Sequence, residues 1–499
     1  MKVSTRTSLA TIRLDYSEKK PLYRQLYESI RAAILDRRLE KNFKLPSSRE
    51  LAREFGISRN TVTAAFEQLM AEGYLEGHVG AGTFVTQKLP DELLAVKIAG
   101  TVPAAGKRKT ASRLSARGKL IASTPVSLSS GGQSLRPFTP CVPSVSEFPF
   151  HVWAKLTARR LRLPVRNWLN YGDPAGFRPL REAISAHLGA ARGVRCRPDQ
   201  VLIVSGTQQA VDLTARLLLD PGDAVWVENP GYLGSRGAVL AAQARIVPVP
   251  VDEEGLSVAA GKKLAPHARL ISVTPSHQYP LGVTMSLARR LELLEWAKSA
   301  SAWILEDDYD SEFRYENRPL AALQGLDRHE RVIYIGTFSK VLGPGLRVGY
   351  MVVPPDLVDA FTNGKALLDR QSPIFEQVVL ADFFTEGHFA RHVRRMRHLY
   401  AERRTTLIAA LDGEFGESLA VNSSSAGLHL TCWLKDNADD LSAARAASLA
   451  GIDTEPISAM YVGKNPRPGL VLGYAPFNER EINSGVRKLA VVLTKQGSK

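Results

Sequence analysis

Cysteine is almost missing from this chain. Cys141, Cys196 and Cys432 stand far apart and form no paired motif. That argues against a disulfide framework or a thiolate metal centre and fits buried thiols in a reducing compartment. Long hydrophobic runs are missing as well: no apolar stretch reaches the roughly 18 residues of a membrane-spanning helix. Residues 1–14 mix Lys2, Arg6 and Arg13 with polar residues and lack an apolar core, so an export signal is not expected. These absences point to a cytoplasmic protein with neither a membrane nor a metal partner. Acid is also in short supply. Against 65 Lys and Arg there are 50 Asp and Glu, a formal net charge of +15. Such a surplus suits a polyanion partner without defining one.

What is present is otherwise ordinary for a globular protein: 44% of residues are hydrophobic and 23% charged in 499 residues. That is too long for one small core, so two or more domains are expected. Residues 23–38 read as a helix, with Leu26, Ile30, Ala33 and Ile34 at helical spacing. Leu45-Pro46-Ser47 breaks it. Ser47 with Glu50 three residues on reads as a capping box opening a second helix through Phe55. Gly56 turns the chain, and Ser58 caps a third helix to about Glu72. Leu51, Phe55, Ile57, Val62, Phe66 and Leu69 supply a small core. Short apolar runs around Gly77, Gly80 and Gly82 predict a β-hairpin, the wing of a winged helix. In that fold the third helix enters the major groove of DNA by its N-terminal end. Ser58, Arg59, Asn60, Thr61 and Thr63 occupy that end, where Arg59 suits guanine and Asn60 adenine. Arg49 on the preceding helix suits a phosphate or groove contact, and Gly80 lets the wing approach the backbone. A double-stranded DNA operator is the expected partner of residues 1–86.

Residues 87–135 read as a linker. Between Val96 and Leu120 lie Lys97, Lys107, Arg108, Lys109, Arg113, Arg117 and Lys119 with no acid, a stretch that buries too little to fold alone. From residue 136 onward apolar runs alternate with helical stretches such as 210–219 and 287–300. The runs at 201–204, 224–227, 270–273, 303–305 and 332–335 are continuously apolar, as in strands covered on both faces. The expectation is an α/β domain over 136–499 with a mostly parallel central sheet.

In open α/β sheets ligands gather at the carboxyl ends of strands. Gly206, Thr207 and Gln208 follow one strand and open a helix, so their amides suit a phosphate. Tyr232 follows the next and offers a ring to a planar group. Asp307 and Tyr309 follow the strand at Trp303, amid carboxylates that are costly to bury unpaired. Lys340 follows the strand ending near Ile335, with Phe338 and Gly343 as apolar or small neighbours. Arg347 lies seven residues later. Each alone is a common feature of loops. Together an acid, a phenol, a lysine and an arginine in this order suit pyridoxal 5'-phosphate, which needs an amine to bond its aldehyde and a carboxylate to keep its ring nitrogen protonated.

Residues 200–350 resemble the fold-type I aminotransferases. The resemblance implies that Lys340 is the cofactor-linking lysine, Asp307 the partner of the ring nitrogen, Tyr309 that of the ring oxygen and Arg347 the phosphate arginine. Leu45-Pro46-Ser47-Ser48-Arg49-Glu50-Leu51 and Gly80-Ala81-Gly82-Thr83-Phe84-Val85 resemble the GntR-family winged helix. The two halves in this order resemble the MocR subfamily of bacterial regulators. Tyr171-Gly172-Asp173-Pro174-Ala175-Gly176 matches that subfamily too. There the tyrosine reaches the phosphate of the neighbouring subunit, implying a homodimer with shared sites.

Two departures stand out. Tyr279 precedes Pro280-Leu281-Gly282 where aminotransferases carry an Asn, and His277, Gln278 and Tyr279 all stand open as its replacement. Val471 occupies the place of the arginine that clamps a substrate carboxylate, with Arg467 four residues early. The resemblance therefore implies a regulator whose DNA binding responds to a small amine, an amino acid or PLP itself. A catalytically active aminotransferase with an appended DNA module is the alternative, and turnover is left open.

Overall fold

A computed structural model describes residues 14–18, 20–78, 81–89, 114–124, 135–162, 170–315, 321–422, 424–435, 438–463 and 466–497. The chain divides into two compact units, Met1–Ala111 and Ser112–Lys499. Among the described residues no helix is long and apolar enough to cross a membrane.

The first unit is built from three helices and a hairpin: α1 (Leu22–Leu35), α2 (Ser48–Glu54), α3 (Arg59–Ala71), β1 (Leu75–His78) and β2 (Gly82–Val85). The first helix ends three residues earlier than its spacing predicts. Asp36 caps it, and Arg37 takes a positive φ of 57° that turns the chain out. Both sequence caps form. Ser47 and Glu50 exchange the reciprocal bonds of a capping box, and the Ser58 hydroxyl accepts from the Thr61 amide. The strands pair antiparallel from Leu75↔Val85 to His78↔Gly82, which is the expected wing. Gly80 falls outside the described residues. Leu26, Ile30, Leu51, Val62, Phe66 and Leu69 form the core, with Phe55 and Ile57 half-buried at its margin.

The expected linker contains an element that the sequence did not announce. Ala116–Ser123 is a helix, α4, capped by Ser115. It packs against α7, introduced below. It buries none of its own residues, so it carries no amphipathic pattern to read. Residues 90–113 and 125–134 of that linker lie outside the described residues.

The second unit contains α5 (Arg178–Arg192), β3 (Val201–Val204), α6 (Thr207–Leu218), β4 (Ala224–Asn229), α7 (Leu233–Ala241), β5 (Arg245–Asp252), β6 (Gly255–Leu256), β7 (Leu270–Val273), α8 (Leu287–Ser299), β8 (Trp303–Asp308), β9 (Val332–Thr337) and β10 (Gly349–Val352). The strands form one sheet in the order β3-β10-β9-β8-β7-β4-β5-β6. Pairs from β5 through β4, β7 and β8 to β9 are parallel. Strand β10 runs antiparallel between β3 and β9. The sequence reading names no strand at 349–352, and an apolar run would not give its direction, so this insertion was not legible. Every residue of β3, β7, β8, β9 and β10 is buried, because helices and loops cover both faces. After α9 (His388–Phe415) a smaller antiparallel sheet follows, β11 (Ala420–Asn422), β12 (His429–Trp433), β13 (Glu455–Pro456) and β14 (Gly469–Gly473), in the order β11-β12-β14-β13.

Candidate functional site

The carboxyl ends of β3, β8 and β9 converge on a cavity of about 340 Å³, lined among others by Thr207, Gln208, Tyr232, Asp307, Tyr309 and Lys340. Six residues named as candidates from separate stretches of sequence thus meet in one place.

The strand through Trp303 runs further than its apolar run suggests. It extends to Asp308, so Asp307 lies on the strand rather than after it. Successive strand residues face opposite ways. Asp308 accepts from Arg192 Nε at 2.8 Å, Tyr334 OH at 2.5 Å and Ser311 at 2.8 Å. Burial pushes its pKa up, but Arg192 and these hydroxyls outweigh burial and hold it below the usual range. Asp307 lines the cavity instead. It is buried, and its Oδ1 meets no hydrogen-bond partner. Burial first, then the charge of Asp308, raises its pKa to about 7.

Tyr309 is held by its neighbours. Its hydroxyl lies 3.0 Å from His277 Nδ1, which is also 2.9 Å from Asp310 Oδ2. Burial, then Asp310, keeps the phenol protonated well above its ordinary range. Lys340 follows β9 after the buried Phe338. Its Nζ donates to the Cys141 carbonyl at 2.8 Å. Gly206 has a φ of 122°, a conformation that a side chain strains against, and opens α6. A β-carbon there would meet the Arg347 guanidinium at 3.3 Å. Arg347 itself sits in the left-handed region at φ 51°, a conformation costing about 1–3 kcal/mol outside glycine. Amide donors, a helix N-terminus and a guanidinium therefore share one corner.

Tyr279, not His277 or Gln278, lines the cavity next to Tyr309. Gln278 turns away to Glu228 and the Pro230 carbonyl, and His277 stands behind Tyr309. Val471, at the expected arginine position, is fully buried. Arg467 lies over the Trp433 ring, 4.1 Å from its centroid. Tyr171 is 76% exposed with Arg370 over its ring, and is not among the residues lining this cavity.

Sequence reasoning missed several lining groups: the Cys141 carbonyl, Thr274, Ser339 and Glu455. Cys141 and Glu455 lie nearly 200 and more than 100 residues from Lys340, and no local pattern announces them. Arg192, the partner of Asp308, was missed for the same reason.

In the first unit Arg49, Ser58, Arg59 and Asn60 are exposed, and Thr61 and Thr63 half-buried. The hydroxyls of Ser58 and Thr61 lie 2.9 Å apart within the cap, and that of Thr63 bonds back to the Arg59 carbonyl. Arg59 Nε reaches Ser48 at 3.3 Å, linking α3 to α2. Lys44, missed by the sequence reading, pairs with Phe84 as a β-bridge beside the wing.

Comparison with known proteins follows the same division. Residues 22–85 match the bacterial regulatory proteins of the gntR family, and residues 142–458 match aminotransferase class I and II. A "probable rhizopine catabolism regulatory protein MocR" of Rhizobium meliloti is 41% identical over 476 residues, covering 95% of this chain and 94% of the relative. An HTH-type transcriptional regulator of Bacillus subtilis, YhdI, is 34% identical over 95% of this chain and 96% of its own. Among solved structures, kynurenine aminotransferase of Pyrococcus horikoshii, crystallised with PMP, superposes with a TM-score of 0.67 at 30% identity. That match covers 76% of this chain and 93% of the aminotransferase.

Proposed function

This chain belongs to the MocR-type regulators, a gntR-family module joined to an aminotransferase class I and II domain, and on that premise we propose a transcription regulator whose operator binding is set by a small amine, or by PLP itself, at the cavity of Lys340. The observation that carries the cofactor reading is the orphaned Asp307 Oδ1 beside Tyr309 and Lys340. A buried acceptor without a donor is costly until one arrives, and a protonated pyridine nitrogen is such a donor. Meeting it would draw Asp307 down from about 7 to the carboxylate. The amides at Gly206, Thr207 and Gln208, with Arg347, would hold the phosphate. Tyr232 would lie against the ring. If Nδ1 of His277 carries the proton, it donates toward Asp310 and Tyr309, and the phenol proton is then free for the ring oxygen; this tautomer is assigned from the contacts. When bound, PLP supplies an aldehyde that exchanges its link to Lys340 for one to an incoming primary amine.

Tyr171, exposed here, would complete the phosphate site of a second copy in a homodimer. On DNA, Arg59 and Asn60 are the proposed base readers, Arg49 a groove or phosphate contact, and Gly80 the close approach of the wing. Ser58, Thr61 and Thr63 would shape and flank that end of α3. The cytoplasm is the proposed location. Val471 in the arginine position disfavours efficient amino-acid turnover, because a bidentate clamp has no substitute there.

Full-length protein should absorb in the violet, and borohydride should fix the cofactor on Lys340. Binding to DNA taken from upstream of the protein's own gene should change when PLP or amines are added. Fixation at another lysine, or DNA binding indifferent to both, would refute the proposal.

A further inference from the structure

An acid stands beside the place where a base is missing. In β14, Val471 is fully buried and packs with Leu281, Ile457 and Met460. Its cross-strand partner is Glu455 of β13. The Glu455 side chain lines the same cavity as Lys340. It accepts a hydrogen bond of 2.5 Å from the hydroxyl of Tyr279, which stands before Pro280 where aminotransferases carry an Asn. The two departures from the aminotransferase pattern are therefore one structural unit. Arg467 is engaged over Trp433. Among the described residues lining the cavity, Lys340 is the one cation and Glu455 and Asp307 are the carboxylates.

We propose that Glu455 with Tyr279 forms a second subsite that selects amines carrying another hydrogen-bond donor, an ammonium or a hydroxyl, in place of a carboxylate. The inference rests on the cofactor and effector reading above and names the chemical class of the effector. Asp307 is taken up by the ring nitrogen in that reading, which leaves Glu455 as the acid facing the remainder of the ligand. A ligand carboxylate placed there meets a like charge in a partly dry cavity and loses affinity. A donor meets a charge-assisted hydrogen bond instead. The site thus rejects amino acids by repulsion while holding diamines and amino alcohols by attraction, and both arms contribute to selectivity. Burial raises the Glu455 pKa, and the Tyr279 hydrogen bond and the charge of Lys340 offset part of that rise.

The test uses PLP-loaded full-length protein and matched pairs of ligands: putrescine against ornithine, and ethanolamine against serine. The absorbance change on titration gives the half-saturating concentration of each. The carboxylate-free member should half-saturate at roughly ten- to hundredfold lower concentration, as expected for one charged hydrogen bond. Glu455→Gln should shrink that ratio toward one, and Glu455→Arg should turn it toward the amino acid. Retention of the violet band shows that each variant is folded. Ornithine and serine winning in the unaltered protein would overturn the inference, as would an unchanged ratio in both variants. Borohydride fixation in the same samples separates the two readings. Cofactor on Lys340 with no amine preference sinks the subsite alone, whereas cofactor absent from Lys340 sinks the function it rests on.

Discussion

The two units of this protein keep their charges in opposite places. In the first, among the described residues, the buried groups are apolar apart from the uncharged Gln25, and Arg49, Arg59 and Asn60 stand on the surface. In the second, Glu306, Asp307, Asp308 and Asp310 are all buried within five residues, with Arg192 buried against one of them. A surface cation can be exchanged without disturbing the fold beneath it. A buried acid stays charged only if its surroundings supply a partner. In the DNA-facing unit, function and stability are therefore separable residue by residue, whereas in the cofactor domain they are coupled.

The largest expected effect tests the domain where they are coupled. Lys340→Ala should abolish covalent cofactor retention altogether, read as loss of the violet band and of any borohydride adduct. The fold should persist by circular dichroism, because the Nζ makes one hydrogen bond to a carbonyl. Loss of fold would show that the lysine is structural.

Asp307 sharpens the contrast through pH. Its pKa in the folded protein is about 7 against 3.8 for the free group. A raised pKa stabilises the cofactor-free fold fully below about pH 4, and that contribution is lost as the pH rises through about 7. Cofactor-free Asp307→Asn should therefore match wild type near pH 4 and exceed it near pH 8, by up to about 4 kcal/mol. Thermal denaturation at the two pH values decides. Equal stability at both would mean that the carboxyl finds a partner without the cofactor. PLP affinity should fall in the same variant.

Arg59 carries the comparison to the surface. Arg59→Ala should weaken operator binding by about 1–3 kcal/mol if it pairs with a base. It should leave the cofactor spectrum unchanged and lower the melting temperature only by what the exposed Arg59–Ser48 bond contributes. Equal weakening on all sequences would make it a phosphate contact. The smallest effect is expected at Ser47. Its hydroxyl caps a helix of seven residues, and Ser47→Ala should cost about 1 kcal/mol of stability in the first unit. The cofactor domain should melt as before.

Legibility followed sequence distance. Helix caps at Ser47 and Ser58 were readable because the bonded residues lie three apart. Five strands of the central sheet, β3, β4, β7, β8 and β9, were readable as unbroken apolar runs, whereas β5 alternates and β6 has two residues. That Asp307, Tyr309 and Lys340 line one cavity was legible in their order and spacing. Glu455 was not, because a two-residue strand brings it to a cavity assembled more than 100 residues upstream. Arg192 and Asp308 pair across 116 residues. The antiparallel β10 and the short α4 were missed for different reasons: one lacks a directional signal, the other an apolar face.

The division between Asp307 and Asp308 has a further consequence for how such a chain can change in length. Their opposite fates follow only from which side of β8 each happens to face. A single-residue insertion within the strand, upstream of position 307, would shift both by one place. Asp307 would then take the place of Asp308 before Arg192 and Tyr334, and Glu306 would enter the cavity position that Asp307 had held. Both aspartates would survive, one step out of phase with every other group in the cavity. For this strand, length is inherited as strictly as identity.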